Sequence, residues 1–239
     1  MALLLLASPA AALPSAAEAN CLVRNEWICS EYLRSRAPIL GEAVFEHVWI
    51  TVLSVALGLL IAFPLALLAR RYRRLEWFVV GATTGLYTIP SLALFSLLLP
   101  LTGLTATTVV VGLVLYSLTI LVRNLLEGLR GVPDDVRESA LGMGYGGPRL
   151  LFRVELPLAL PSVMAGLRVA TVSTVALTTV GAIIGFGGLG NLLFEAVNTQ
   201  FRPQVLAAGV LCVVLAVTFD LLLLALQRVL TPWATTRSA

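Results

Sequence analysis

The chain has 239 residues, of which 59% are hydrophobic and only 12% are charged, and its formal net charge is +3. A soluble domain carries about 25% charged residues, so this composition, with a mean hydropathy of +0.95, excludes an ordinary soluble protein and indicates a membrane protein. The small positive charge gives no reason to expect a nucleic-acid partner, because the arginines lie in the segments between the apolar runs.

Residues 1–47 precede the first long apolar run and are predicted to form a tail. Residues 1–20 are apolar and alanine-rich like a weak signal peptide, but they lack a basic start. A cleaved signal, a sixth partial span and a misassigned start all remain open. Cys21 and Cys29 are either joined in an oxidising compartment or free thiols. His47 lies at the start of the first span, where an interfacial position accounts for it.

Five apolar segments are long enough to cross a bilayer as helices, since about 20 residues at 1.5 Å each span a hydrocarbon core of about 30 Å. They do not alternate with period two, so strands are not expected. We predict an all-α integral membrane protein with about five transmembrane helices, or six if residues 1–20 form a partial span. The predicted spans are 48–69, 77–99, 104–122, 158–186 and 205–229.

The arginines predict the orientation of the spans. Arg70, Arg71, Arg73 and Arg74 crowd the first connection, and Arg123, Arg130, Arg137, Arg149 and Arg153 lie in or beside the third. Cytoplasmic loops collect basic residues, so these two connections are expected to face the cytosol. The N-terminus is then outside, a transmembrane domain covers 48–229, and residues 230–239 form a cytosolic tail.

The third connection contains a polar stretch, residues 133–157. Asp135 is predicted to cap a helix, with Glu138 completing a capping box. The glycines at 144–147 break this helix, and a second short helix is expected over 149–155. The stretch is therefore predicted to form a helix–break–helix on the cytosolic face.

This stretch resembles the EAA signature of the permease subunits of ABC importers. Glu138, Ala140 and Gly144 match the first part of the signature, and Ser139 and Val154 are mild departures from it. In that family the loop forms coupling helices that dock on a cytosolic ATPase. The resemblance implies a type I ABC-importer permease fold. It also implies ATPase-coupling roles for Glu138, Ser139, Ala140, Gly144, Val154, Leu156 and Pro157.

Two further segments resemble the permeases for glycine betaine, choline and carnitine: residues 88–94 (TIPSLAL) and 184–190 (IGFGGLG). The resemblance implies import of quaternary-ammonium compatible solutes. A methionine-like amino-acid importer is the alternative within the same class, because such importers carry a similar glycine segment. An ion channel is the alternative from another class, although no charged ring or carbonyl filter is evident.

Quaternary ammonium groups are typically held by aromatic faces through cation–π contacts. The residues that we expect along the substrate path are Tyr87, Pro90, Ser91, Phe95, Tyr116 and Phe186, although packing explains each aromatic residue singly. Pro90 is expected to kink the second span and to free a backbone carbonyl. A gate loop near the outer face is predicted from Gly185, Gly187, Gly188 and Gly190. Asp220 lies inside the fifth span, and we favour a structural role for it.

The chain offers no evident catalytic site. It has one histidine, three scattered cysteines and no GxxxxGK[ST] loop, so neither a metal cluster nor a nucleophile–base pair is expected. We expect no cofactor on this chain, with ATP and Mg on the partner ATPase. The implied partners are a cytosolic ABC ATPase dimer, a second permease subunit of the same or homologous sequence, an extracytoplasmic substrate-binding protein and membrane lipid. The implied location is the bacterial inner membrane.

Overall fold

The computed structural model describes residues 20–233, and within that range the chain is helical and contains no β-strand. The signal-like segment and the last tail residues lie outside the described range. The helices are α1 (Ser30–Ser35), α2 (Ala37–Arg71), α3 (Arg73–Thr88), α4 (Ser91–Thr102), α5 (Ala106–Arg130), α6 (Asp134–Gly142), α7 (Pro148–Leu150), α8 (Leu156–Thr178), α9 (Leu189–Thr199) and α10 (Arg202–Leu230). A π-helical turn (Leu151–Glu155) joins α7 to α8, and a 3-10 turn (Thr179–Ile184) follows α8.

Within the described residues, four helical stretches are each long and apolar enough to cross a membrane: Ala37–Arg71, Ala106–Arg130, Pro148–Ile184 and Arg202–Leu230. The pair α3–α4 is the fifth candidate, and its two helices meet at 103°. The prediction of an all-α protein with about five spans is confirmed.

The second span is divided more sharply than the expected kink. Ile89 has φ −68° and ψ 126°, which is an extended conformation, and α4 starts only after Pro90. The proline ring disfavours the α region for the residue before it, and proline itself has no N–H to donate. Two separate helices result instead of one bent helix.

Two other boundaries differ from the prediction. Helix α2 begins at Ala37 rather than at residue 48, and α9 lies between the fourth and fifth predicted spans, where a connection is predicted. Hydropathy detects the lipid-spanning part of a helix, whereas backbone hydrogen bonding continues through the less apolar turns outside it. The charged residues Glu42 and Glu46 therefore lie within α2 rather than in a tail.

Helix α5 is the centre of the bundle and contacts α2, α3, α4 and α8. Its buried side chains belong to two apolar clusters. One contains Leu121, Val122 and Leu125, and the other contains Val109 and Leu113. Helix α10 is at the periphery, where it packs mainly on α8 and α9.

Ion pairs identify one end of the bundle, which we call the coupling end. Arg70 at the end of α2 pairs with Glu155 before α8, and Arg130 at the end of α5 pairs with Glu76 at the start of α3. Helix α3 therefore runs antiparallel to both α2 and α5. The predicted coupling segment, residues 133–157, begins and ends at this end of the bundle.

The opposite end, which we call the loop end, brings together the first half of α2, the end of α8 and the start of α10. Thr51 lies 3.4 Å from Thr178, measured between their hydroxyl oxygens. Asn25 accepts a hydrogen bond from the Arg202 amide at 2.8 Å and donates one to the Gln200 carbonyl at 2.9 Å. The two limits of the described chain thus lie at opposite ends of the bundle.

Cys21 and Cys29, whose pairing the sequence left open, are joined by a disulfide bond. The bond lies at the loop end, where Cys29 is buried with Tyr32, Leu40 and Ala207. The disulfide and this apolar contact hold the segment before α2 against α10. Cys212, on α10, is a half-buried free thiol.

Candidate functional site

The polar segment between α5 and α8 forms a helix, a reversal and a second helical stretch at the coupling end. Helix α6 is followed by Gly144 with φ +84°, a left-handed conformation that glycine adopts without steric cost. Gly147 also has a positive φ, and α7 begins immediately after it at Pro148. The order of helix, break and helix agrees with the sequence pattern.

The predicted capping box does not form. Helix α6 begins at Asp134, its N-cap is Pro133, and no side chain caps it. Proline has a fixed φ that suits a helix start but no side-chain acceptor, so Asp135 lies within the first turn instead of at the cap. The two acidic residues of that turn still lie favourably at the positive end of the helix dipole.

The second helical stretch is not a separate short helix over 149–155. It continues into α8, and the Leu156 amide donates to the Leu151 carbonyl across the π-helical turn. Pro157 has no N–H, and its ring excludes the carbonyl four residues earlier, so a wider turn before it accommodates the proline. Val154, Leu156 and Pro157 are half-buried at this junction.

Glu155 is the anchor of the segment and was missed by sequence reasoning. Its side chain is buried and accepts two hydrogen bonds from the Arg70 guanidinium, at 2.7 and 2.5 Å. Arg137 of α6 forms an ion pair with the same carboxylate at 3.0 Å, measured from Nε to Oε1. One carboxylate thus joins the end of α2, helix α6 and the start of α8.

Arg137 also connects α6 to α5. Its guanidinium donates to the Leu129 carbonyl at 2.6 Å and pairs with Asp134 at 3.0 Å. A buried carboxylate is costly unless it is paired and hydrogen-bonded, and this one meets both conditions. We call Arg70, Arg137 and Glu155 the anchor triad, and it fixes the coupling segment to the bundle.

One side of the coupling segment is exposed. Leu141, Met143 and Phe152 present large apolar side chains to the surroundings, with Met143 71% exposed, and Glu138 is exposed beside them. Such a mixed apolar and charged patch on a membrane protein's polar segment is typical of a protein interface. Ser139, Gly142 and Gly144 are also exposed, and their small side chains leave the backbone of the segment open to close approach by a partner.

Ala140 lies differently from the other signature residues, because it is 2% exposed and faces the bundle. A small side chain there lets α6 lie close to its neighbours rather than offering a contact to a partner. At the break, a cavity of about 360 Å³ is lined by Met143, Gly144, Tyr145, Arg149 and Arg153. Its two arginines give this part of the surface a positive charge.

The break between α3 and α4 is hydrogen-bonded from α5. The Tyr116 hydroxyl donates to the Ile89 carbonyl, and the Thr119 hydroxyl donates to the Thr83 carbonyl at 2.6 Å. The Leu86 carbonyl, which the proline at the break cannot bond for lack of an N–H, accepts from the Ile89 amide at 3.2 Å. The break also leaves the Ile89 carbonyl without a helical partner, and a tyrosine of the neighbouring helix satisfies it.

The expected path residues fall into two groups. Tyr87 and Tyr116 are in edge contact, with ring centroids 5.7 Å apart, and both border a narrow gap that also contains Ser173 of α8. Pro90 and Ser91 lie at the adjacent break. Phe95 is instead buried against Gly112, and Phe186 packs on the same apolar cluster. The structure thus brings the two tyrosines together but places both phenylalanines in packing positions.

The glycine-rich segment is a tightly packed turn between α8 and α9. Gly188 has φ +54°, and a Cβ at this position would lie 2.7 Å from the backbone nitrogen of His47. The Asn191 side chain, which the sequence did not single out, accepts from the Gly187 amide at 3.0 Å and donates to the Gly185 carbonyl at 3.1 Å. Gly190 packs against the backbone of Thr179.

His47, which was expected only to begin the first span, is packed inside the protein. Its side chain is fully buried, with Nε2 3.0 Å from the Val175 carbonyl oxygen, because the turn at Gly188 lies directly against α2 at this residue. The single histidine therefore supports the packing of α2, α8 and the glycine turn.

Comparison with known families gives a match to residues 54–236, and the family is described as the inner membrane component of binding-protein-dependent transport systems. A Salmonella typhimurium protein, the osmoprotectant import permease OsmW, is 37% identical, with 84% of this chain and 96% of that protein covered. The choline transport permease OpuBB of Bacillus subtilis is 34% identical, with 84% and 93% covered. The glycine betaine/carnitine/choline permease OpuCB of the same organism is also 34% identical, with 80% and 90% covered.

Solved structures show the same fold. The MetNI methionine ABC transporter in an inward-facing conformation superposes with a TM-score of 0.73 at 21% sequence identity, covering 84% of this chain and 99% of that one. A second amino-acid ABC transporter superposes with a TM-score of 0.68 at 18% identity. The arrangement of helices is therefore that of ABC-importer permeases of type I.

Proposed function

The chain belongs to the family of inner membrane components of binding-protein-dependent transport systems, and we propose that it is the permease subunit of an ATP-driven importer of quaternary-ammonium compatible solutes. The solutes are glycine betaine, choline and carnitine. Relatives named for these solutes align over most of both chains, which supports the substrate class.

The observation that carries the proposal is the exposed coupling segment fixed by the anchor triad. A motor subunit that pushes on α6 acts on a helix tied directly to α2, α5 and α8 through Arg137 and Glu155. Movement of the segment is then transmitted to the helices of the path rather than lost in a flexible loop. Leu141, Met143 and Phe152 supply the apolar contacts for docking, and Glu138 supplies a charged one.

The partners follow from this assignment. Two cytosolic ATPase subunits bind ATP and Mg and dock on the coupling segments of two permease subunits, which are identical or homologous. A substrate-binding protein delivers the solute to the loop end. This chain carries out no catalysis, and closure of the ATPase pair opens the path outward, whereas hydrolysis resets it.

The orientation that fits these roles places the coupling end in the cytosol and the loop end outside. Arginines at the coupling end agree with the positive-inside rule, and the Cys21–Cys29 disulfide at the loop end agrees with an oxidising compartment. The protein is then a multi-pass component of the bacterial inner membrane, with its N-terminus outside and its C-terminus in the cytosol.

Uptake by the reconstituted complex tests the substrate class. Liposomes containing the permease and its ATPase, supplied with the binding protein and internal ATP, are given radiolabelled glycine betaine, choline, carnitine or methionine. We expect ATP-dependent accumulation of the three quaternary ammonium compounds. Preferential accumulation of methionine would contradict the substrate class, and uptake without the ATPase would indicate a channel.

A further inference from the structure

An ion pair between α8 and α10 lies outside every site described so far. The Arg168 guanidinium donates two hydrogen bonds to the Asp220 carboxylate, each 2.8 Å long, one from Nε and one from Nη2. This fork geometry is the strongest arrangement of an arginine and a carboxylate. Within the part of the chain that the structure describes, Nη1 of Arg168 makes no hydrogen bond.

Both residues of the pair lie well inside their predicted spans. Arg168 is about 15 Å from the start of its predicted span, 158–186, and Asp220 is about 14 Å from the end of its predicted span, 205–229. Charged side chains at this depth are costly in lipid and almost always face a protein interior or a water-filled cavity. The face of the chain that carries the pair is therefore not a lipid-facing surface.

The pair is nevertheless accessible in this chain alone. The side chains of Arg168 and Asp220 are 27% and 32% exposed, and they border a cavity of about 440 Å³ that is also lined by Ala165, Val169, Val172 and Ser173. Ser173 borders the tyrosine gap as well, so the two cavities meet at this residue, although their other α8 residues lie on different sides of the helix.

We propose that the Arg168–Asp220 cavity is a binding site for zwitterionic solutes in the translocation path. This inference rests on the proposed function and names the groups that distinguish among its substrates. The solute carboxylate lies against the free Nη1 side of Arg168, and its ammonium group lies beside Asp220. The charges of the solute then run opposite to those of the ion pair, so the pair remains intact.

The arrangement predicts that the site discriminates between solutes that share a trimethylammonium group but differ in their other polar group. Glycine betaine and carnitine carry a carboxylate, whereas choline carries a hydroxyl in its place. Choline is attracted by Asp220 but repelled by Arg168, and it has no anionic group with which to compensate. The site therefore favours zwitterions over the cation.

A double variant tests this directly. Arg168→Gln with Asp220→Asn removes both charges and leaves no unpaired ion, so the helix contact survives better than in either single variant. At saturating loaded binding protein, we expect the ratio of glycine betaine to choline turnover to fall by about tenfold, because one charge-assisted contact is lost. An unchanged ratio with both turnover rates retained, or a fall in both rates with the ratio unchanged, would overturn the proposal and leave a structural pair.

A labelling experiment covers the case in which the double variant does not assemble. In a Cys212→Ala background, Ala165→Cys is treated with a trimethylammonium thiosulfonate reagent in the complete complex in nanodiscs. We expect labelling at Ala165→Cys that glycine betaine slows. Leu222→Cys is the matched control, because it lies at a similar depth about 200° around α10 from Asp220 and is exposed on the other side.

Absence of labelling at Ala165→Cys, or labelling that glycine betaine does not slow, would overturn the proposal. The first result would place this face in a contact between permease subunits. A wild-type complex that imports none of the four solutes would overturn the proposed function, and the inference with it. Import with an unchanged solute ratio would overturn the inference alone.

Discussion

Glu155 is a single carboxylate on which three parts of the chain converge. Its two arginine partners come from α2 and α6, and its own backbone lies in the π-helical turn before α8. Acidic side chains that are buried among apolar residues persist only when they are paired, so the surrounding structure depends on both partners.

Glu155→Gln is therefore expected to lower both stability and coupling. It leaves Arg70 and Arg137 without a countercharge, which costs about 3 kcal/mol. Thermal unfolding of the purified chain in detergent and substrate-stimulated ATP hydrolysis by the complex measure the two effects. A variant with the wild-type melting temperature and wild-type stimulation of ATP hydrolysis would show that the anchor triad contributes neither to stability nor to coupling.

Gly188 gives a graded prediction about the glycine turn. Gly188→Ala combines a strained positive φ with overlap on the His47 backbone, and we expect it to destabilise the protein by about 2 kcal/mol or more. Gly185→Ala, with φ +84° and open space around it, should cost about 1 kcal/mol. Gly41→Ala, in helical backbone with nothing nearby, should be neutral or slightly stabilising.

Melting temperatures of the three variants check the order. If Gly188→Ala melted like Gly41→Ala, the close packing of the turn on α2 would be contradicted. Transport by the Gly185→Ala variant then reports whether the turn must also move, since that substitution adds strain without a clash.

At the scale of single residues, the sequence identified the residues of the signature but not the tertiary contacts that they make. The signature residues were identified by spacing, but the partners of Glu155 were not, because Arg70 is 85 positions away in the chain. Only one signal was available beforehand: a lone acid next to an apolar span needs a cation nearby. The burial of Ala140 and His47 likewise depends on tertiary contacts that no local pattern encodes.

At the scale of elements, the break between α3 and α4 depends on one hydroxyl. Tyr116→Phe removes the donor to the Ile89 carbonyl and leaves that carbonyl unsatisfied, which costs about 1–3 kcal/mol. We expect lower thermal stability and slower solute uptake. Tyr87→Phe is the matched control, because it keeps the ring contact and removes a hydroxyl outside this hydrogen bond.

Equal behaviour of the two phenylalanine variants would contradict the role assigned to the Tyr116 hydroxyl. The prediction also separates two explanations for the aromatic pair. A cation–π role survives in both variants, since phenylalanine keeps its ring face, whereas support of the break survives only in Tyr87→Phe.

The elements show where sequence patterns are reliable. Within residues 20–233, long apolar runs identified each candidate span, because backbone hydrogen bonds in lipid must be satisfied within a helix. They did not predict the 103° angle at Pro90 or the short α9, since both are set by packing on neighbouring helices. The sequence also did not predict that α7 continues into α8 as one helix. Prolines usually mark helix starts, whereas here a π-helical turn accommodates Pro157 inside the helix.

At the scale of the whole molecule, the two ends of the bundle differ in how they are held together. The coupling end relies on buried or half-buried ion pairs, and the loop end on a disulfide, close glycine contacts and backbone hydrogen bonds. Between them lie the central helix α5 and the ion pair Arg168–Asp220. We infer that force enters at the first end and that the solute enters at the second.

The central claim is that a separate ATPase drives this chain through the coupling segment. The most direct measurement is simultaneous solute uptake and ATP hydrolysis by the reconstituted complex, for wild type and for Glu138→Gln. Glu127→Gln is the control, because it removes another exposed acid that lies outside the coupling segment, at the nearby end of α5. We predict that Glu138→Gln lowers glycine betaine imported per ATP hydrolysed by about tenfold, the loss of one charge-assisted contact, while Glu127→Gln keeps the wild-type ratio. A wild-type ratio in Glu138→Gln as well would contradict the account.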